Sequence, residues 1–305
     1  MLQQNIQKNF NYMNTNKNIA LVLSSGGARG LAEIGVIKAL ENNGFKITSI
    51  SGSSIGAMIG GLYAMGKLDN YSQWVKTLDR KAIWGLMDIS IKNQGLLKGE
   101  RVLEKMKDFI PDMNIEDMNI PFTAIATDIL NEKSIVFEKG SYYEAIRASI
   151  AIPAVFTPVM YKNTILVDGG VLNPIPIEHV IRQSNDILVV VNLYGEKESF
   201  IEENNLLNSP QNNYNLKNMA DKLSRLIATG NKRSIGYISL LTTSSSYMVH
   251  KIAELNIEKY KPDILINIPS NRASTFDFHR ADELIKYGEF VANKAVRNYL
   301  INITK

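Results

Sequence analysis

Cysteine is absent from all 305 residues, which removes disulfides, thiolate metal sites and cysteine nucleophiles together. The lack agrees with a reducing, cytoplasmic setting. No apolar run approaches the roughly 18 residues that cross a bilayer. The first, Ile19 to Leu23, is far shorter, and no signal-peptide pattern precedes it. Strong charge of one sign is missing too. A net charge of +4 with 21% charged residues gives no basic patch for nucleic acid, and neither zinc-finger nor RNP-like spacing occurs. So small an excess is compatible with peripheral contact at an anionic membrane face. The acidic residues show no calcium-loop spacing, and no metal or cofactor is expected. Nothing in the chain sets an oligomeric state. Histidine is scarce, with only His179, His250 and His279 available to a Ser-His-Asp triad.

What is present is a large apolar share, 45%, arranged in short runs between helical patterns. That alternation signals an α/β fold with a largely parallel sheet. Strands are expected over 19–23, 47–51, 122–127, 134–137, 164–167, 187–191 and 264–268. Helices are expected through Asn43, through Met65, and over 141–150, 233–259 and 280–301. Residues 67–109 read as helical with breaks at Gly85, Gly95 and Gly99, and 195–216 as an exposed loop. The first 18 residues include nine Asn or Gln. A disordered tail is therefore expected over 1–17, ahead of one domain over 18–305.

Three motifs follow expected strands. Gly52-Ser53-Ser54-Ile55-Gly56 is a G-x-S-x-G sequence between a strand and a helix. A nucleophile held on so tight a turn needs small flanking residues, here Gly52 and Gly56, so that strand and helix can approach. The helix N-terminus also lends partial positive charge to an adjacent oxyanion. Ser25-Gly26-Gly27-Ala28-Arg29-Gly30 follows the first strand, and its amides suit an anion. Its spacing fits neither a dinucleotide fingerprint nor a P-loop, and an oxyanion hole suits it better. Asp168-Gly169-Gly170 ends a third strand. All three motifs fall at the ends of strands expected to be parallel, where open α/β sheets build their sites. Asp128 falls at the same edge, with a capping role the simpler expectation. None of the histidines sits on a comparable turn, which disfavours a His-based triad.

In order, the Gly-rich Arg29 loop, G-S-S-I-G, Ala126-Thr127-Asp128, Ala148 to Pro158 and Asp168-Gly169-Gly170 resemble the patatin-like phospholipase family, in particular its short bacterial members. The resemblance runs from about Ile19 to Ile177, and 276–288 looks like the family's C-terminal part. It implies a three-layer α/β/α sandwich with a mainly parallel central sheet. It also implies a Ser-Asp dyad of Ser54 and Asp168, with Gly26, Gly27, Ala28 and Arg29 as the oxyanion loop. Ser25 departs from the pattern, standing where many members have glycine. The expected function is acyl-ester hydrolysis of lipids, of phospholipase A or lysophospholipase type. An acyltransferase and a non-catalytic lipid-binding or regulatory protein of the same fold are the alternatives. The acyl chain is expected against apolar residues of 67–110 and 233–260.

Overall fold

The structure, a computed structural model, describes residues 17–88, 97–198 and 237–303. The tail expected over 1–17 (Lys17 apart), most of the loop over 195–216 and the break at Gly95 lie outside the described residues.

The chain opens with two βα units: Asn18–Leu23 (β1), Leu31–Asn42 (α1), Lys46–Ser53 (β2) and Ile55–Ala64 (α2). The crossover helix makes β1 and β2 parallel. Helix α1 stops at the Asn-Asn-Gly sequence, where Gly44 takes a φ of 79°. Residues 67–109 hold Leu68–Lys76 (α3), Arg80–Leu86 (α4) and Glu100–Lys107 (α5). Gly99, at φ 71°, breaks the pattern as expected; Gly85 does not, lying inside α4. There follow Phe122–Asp128 (β3), Lys133–Phe137 (β4), Tyr142–Ser149 (α6), Val159–Tyr161 (β5), Thr164–Asp168 (β6) and Ile187–Gly195 (β7). Tyr237–Tyr260 (α7), Ile264–Pro269 (β8) and Ala281–Ile303 (α8) close the described chain.

The sheet runs β5-β6-β3-β2-β1-β7-β8, with β4 also on β3. Strands β3, β2, β1, β7 and β8 are parallel. β6, which carries Asp168, is antiparallel to β3, so the expectation that all three motifs end parallel strands fails for this one. The cause is the β5–β6 hairpin, whose turn residues Lys162 and Asn163 have φ of 42° and 64°. Two successive positive φ values suit a tight primed turn, which reverses the chain.

Side chains alternate across β1 and divide the core into two layers. Ile19, Leu21 and Leu23 join one cluster with α1, α2 and α8. Val22 joins Leu188, Val190 and Ala253 of α7 in the other. With helices on both faces, the arrangement is an α/β/α sandwich around a mostly parallel sheet.

Candidate active site

Ser54 sits between β2 and α2 with φ 55° and ψ −123°, a strained conformation for a residue with a side chain. Packing holds it there. A Cβ on Gly52 would come within 2.5 Å of the backbone at Gly56 and Ala57, and one on Gly56 within 2.4 Å of Leu23 O. Only glycine lets strand, helix and β1 meet so closely. The Ser54 amide donates to Ser149 Oγ at 2.9 Å, and that hydroxyl donates to Ile125 O at 2.6 Å.

The strand pairings explain how Asp168 reaches this turn. One edge of β3 over 124–128 is taken by β4. The other edge is shared: β2 occupies it up to Ile125, opposite Ser53, and β6 from Ala126, opposite Asp168. Two strands running in opposite directions along one edge thus end face to face. Ser54 Oγ donates to Asp168 Oδ2 at 2.5 Å, and Asp168 Oδ1 accepts the Gly170 amide at 2.7 Å. Burial raises the Asp168 carboxyl from 3.8 to about 6, although the bonds from Ser54 and Gly170 favour its charge. That value suits a base working near neutral pH. Asp128 contrasts with it. Burial opposes its charge too, but Thr164, the Asn131 side chain and the amides of Asn131 and Leu130 donate to it and hold it at about 2. It caps a turn, as expected.

The loop after β1 packs on the elbow; a Cβ on Gly30 would strike Ile55 at 2.4 Å. Gly27 has φ 60° and lines the same cleft as Ser54. Among the described residues, the Gly26 and Gly27 amides have no protein acceptor. The Ala28 amide donates to Thr275 O at 2.9 Å, which corrects the expectation that it faces substrate. The Arg29 amide falls in the 3-10 turn over Gly27–Gly30, where it closes the turn against Gly26. The Arg29 guanidinium is an anchor, donating to Ser270 O at 3.0 Å and Ala273 O at 3.2 Å.

Beside Ser54 opens an apolar pocket whose walls include Met58, Trp74, Leu86, Val102, Phe156 and Phe278. The 67–110 segment lines it as expected. No described residue of helix α7 does, because the helix packs on the opposite face of the sheet, against Val22, Leu188 and Val190. No histidine joins the dyad. His179 ends a 3-10 turn beside Glu178, His250 packs on the Tyr194 ring, and His279 accepts from Arg80 at the surface. Ser149, Thr275 and Tyr194 belong to the site without a motif to mark them. β2 carried a usable signal: its alternate serines point to one face, where Ser51 donates to Pro176 O and Ser53 to Asn173 O. These bonds pin the segment after Asp168 beneath the elbow.

The fold and the serine elbow at its sheet edge define a patatin-type α/β protein. Residues 21–181 match the family model described as patatin-like phospholipase. An uncharacterised NTE family protein of Mycobacterium bovis is 31% identical, over 93% of this chain and 92% of its own. The chain belongs to the patatin-like phospholipase family. Lysophospholipase NTE1 of Meyerozyma guilliermondii is 26% identical over 92% of this chain, which spans only 19% of that longer protein. Among solved structures, VipD from Legionella pneumophila matches 93% of this chain and 67% of its own, at 14% identity and a TM-score of 0.49.

Proposed function

We propose that the protein is a serine acyl hydrolase acting on lipid esters. The observation that carries the reading is the 2.5 Å bond from Ser54 to Asp168, made on a strained elbow at the mouth of an apolar pocket. Ser54 Oγ attacks the ester carbonyl while Asp168 accepts its proton. The carbonyl oxygen, now negative, takes the Gly26 and Gly27 amides, the pair of loop donors with no other partner among the described residues. Asp168 then returns the proton to the departing alcohol. In the second half it deprotonates a water that cleaves the acyl-enzyme, and the proton passes back to Ser54.

The pocket beside Ser54 suits one acyl chain, because its walls supply almost no polar group. A monoacyl phospholipid is the substrate class this supports, in agreement with the lysophospholipase named among the longer relatives.

Wild type, Ser54→Ala and Asp168→Asn are to be compared on a short-chain nitrophenyl ester and on lysophosphatidylcholine. Both variants are expected to fold and to lose at least a hundredfold in rate. Ester cleavage that survives in folded Ser54→Ala refutes the proposal. Acyl transfer to added alcohols in place of water would identify an acyltransferase.

A further inference from the structure

Ser25 is the one irregular position of the Gly-rich loop, and its hydroxyl has a specific partner. Ser25 Oγ lies 2.5 Å from the hydroxyl of Tyr194, which projects from β7. The Ser25 amide donates to Pro174 O at 2.9 Å, in the segment that follows Asp168. One residue earlier, Ser24 Oγ accepts the Leu193 amide at 2.9 Å. Leu193 also closes on Gly26, where an added Cβ would meet its Cδ1 at 2.6 Å. The end of β7 therefore braces the stretch from which the two unpaired amides emerge.

The same hydroxyl reaches the other half of the site. A Cβ on Gly170 would come within 2.4 Å of Ser25 Oγ and 3.0 Å of Asp168 Oδ1, so Ser25 sits directly against the turn whose amide holds the carboxylate. Tyr194 is partly buried and its ring packs on His250, at 5.8 Å between centroids. Burial pushes its phenol well above the ordinary tyrosine range, so it stays protonated and retains a hydrogen to share. A glycine at position 25 could keep the bond to Pro174 but not the one to Tyr194.

From these contacts we infer that Ser25 and Tyr194 are a pair of positioning residues that holds the Gly26 and Gly27 amides in register with the Ser54–Asp168 dyad. Neither touches the reacting atoms. The inference rests on the acyl-hydrolase reading. Its expected signature is a loss confined to the chemical step, because a displaced donor weakens oxyanion binding more than substrate binding.

The test is a double-mutant cycle on a short-chain nitrophenyl ester with Tyr194→Phe, Ser25→Ala and the pair combined. Each single variant is expected to lower kcat about tenfold with KM within about twofold of wild type. The double variant is expected to be no slower than the worse single one, since one contact is removed either way. A kcat within about twofold of wild type in both singles overturns the inference, even where thermal stability falls. Losses that multiply in the double variant also overturn it. If Tyr194→Phe does not fold, Ser25→Ala and Ser25→Gly read the same contact from the other side. A Ser54→Ala control separates the two levels: activity surviving there refutes the hydrolase reading, whereas an inactive control beside unaffected Tyr194→Phe and Ser25→Ala refutes the pairing alone.

Discussion

Replacing Asp168 by asparagine should make the protein more stable while abolishing its activity. The carboxyl is buried and raised from 3.8 to about 6. Below about pH 4 it is protonated in both folded and unfolded chains and contributes no pH dependence. Between about pH 4 and 6 the folded state holds the proton more tightly than the unfolded state. Stability therefore falls as pH rises through that window, by about 3 kcal/mol for this group at roughly 1.4 kcal/mol per pH unit. Asparagine carries no charge to desolvate. Its oxygen can still accept from the Gly170 amide, and its NH2 can face Ser54 Oγ, so the two bonds that Asp168 makes have replacements. The variant is expected to match wild type near pH 3.5 and to exceed it by up to about 3 kcal/mol above about pH 7. Urea unfolding of both proteins across this range measures the gap. A gap that does not change with pH, or a variant less stable at about pH 8, would show that the Asp168 carboxyl is not raised by burial.

The same carboxyl should shape the rate. kcat/KM is expected to fall about tenfold per pH unit below about 5 and to level off above about 7, because Asp168 must be ionised to accept the Ser54 proton; a profile flat from 5 to 8 counts against it as the base. Ser149→Ala removes the only described partner of the Ser54 amide, and should cost about 1–3 kcal/mol in chemical denaturation and lower kcat as the elbow relaxes. Glu33 is wholly buried on α1, and burial raises its carboxyl well above 4.5. Glu33→Gln should therefore be the more stable protein at neutral pH, by a margin that shrinks toward pH 4 in thermal melts.

Much of this was legible in the sequence because it is local. The G-S-S-I-G turn needs small residues where strand and helix converge, and that need is visible in five positions. The Asn-Asn-Gly stop and the Asp128 cap are local in the same way. The hairpin that reverses β6 was not legible, since Lys162-Asn163 lacks the glycine that usually marks a primed turn. Asp168 could be picked out as a candidate, but not the reason it meets Ser54, which is that β2 and β6 share one edge of β3. Ala28 shows the limit of reading a loop in isolation: its amide is taken by Thr275, almost 250 residues away along the chain. Helix α7 shows another, because its apolar rhythm says that it packs but not on which face of the sheet.

A Ser54 nucleophile activated by Asp168 should react with electrophiles aimed at serine hydrolases. Peptide mapping after treatment with a fluorophosphonate tests it most directly, with labelling rates compared at pH 5 and pH 8. A single adduct is expected on Ser54, formed much faster at pH 8, slowed by Asp168→Asn and absent from Ser54→Ala. An adduct on any other residue, or labelling of Ser54 at the same rate in folded Asp168→Asn, would contradict it.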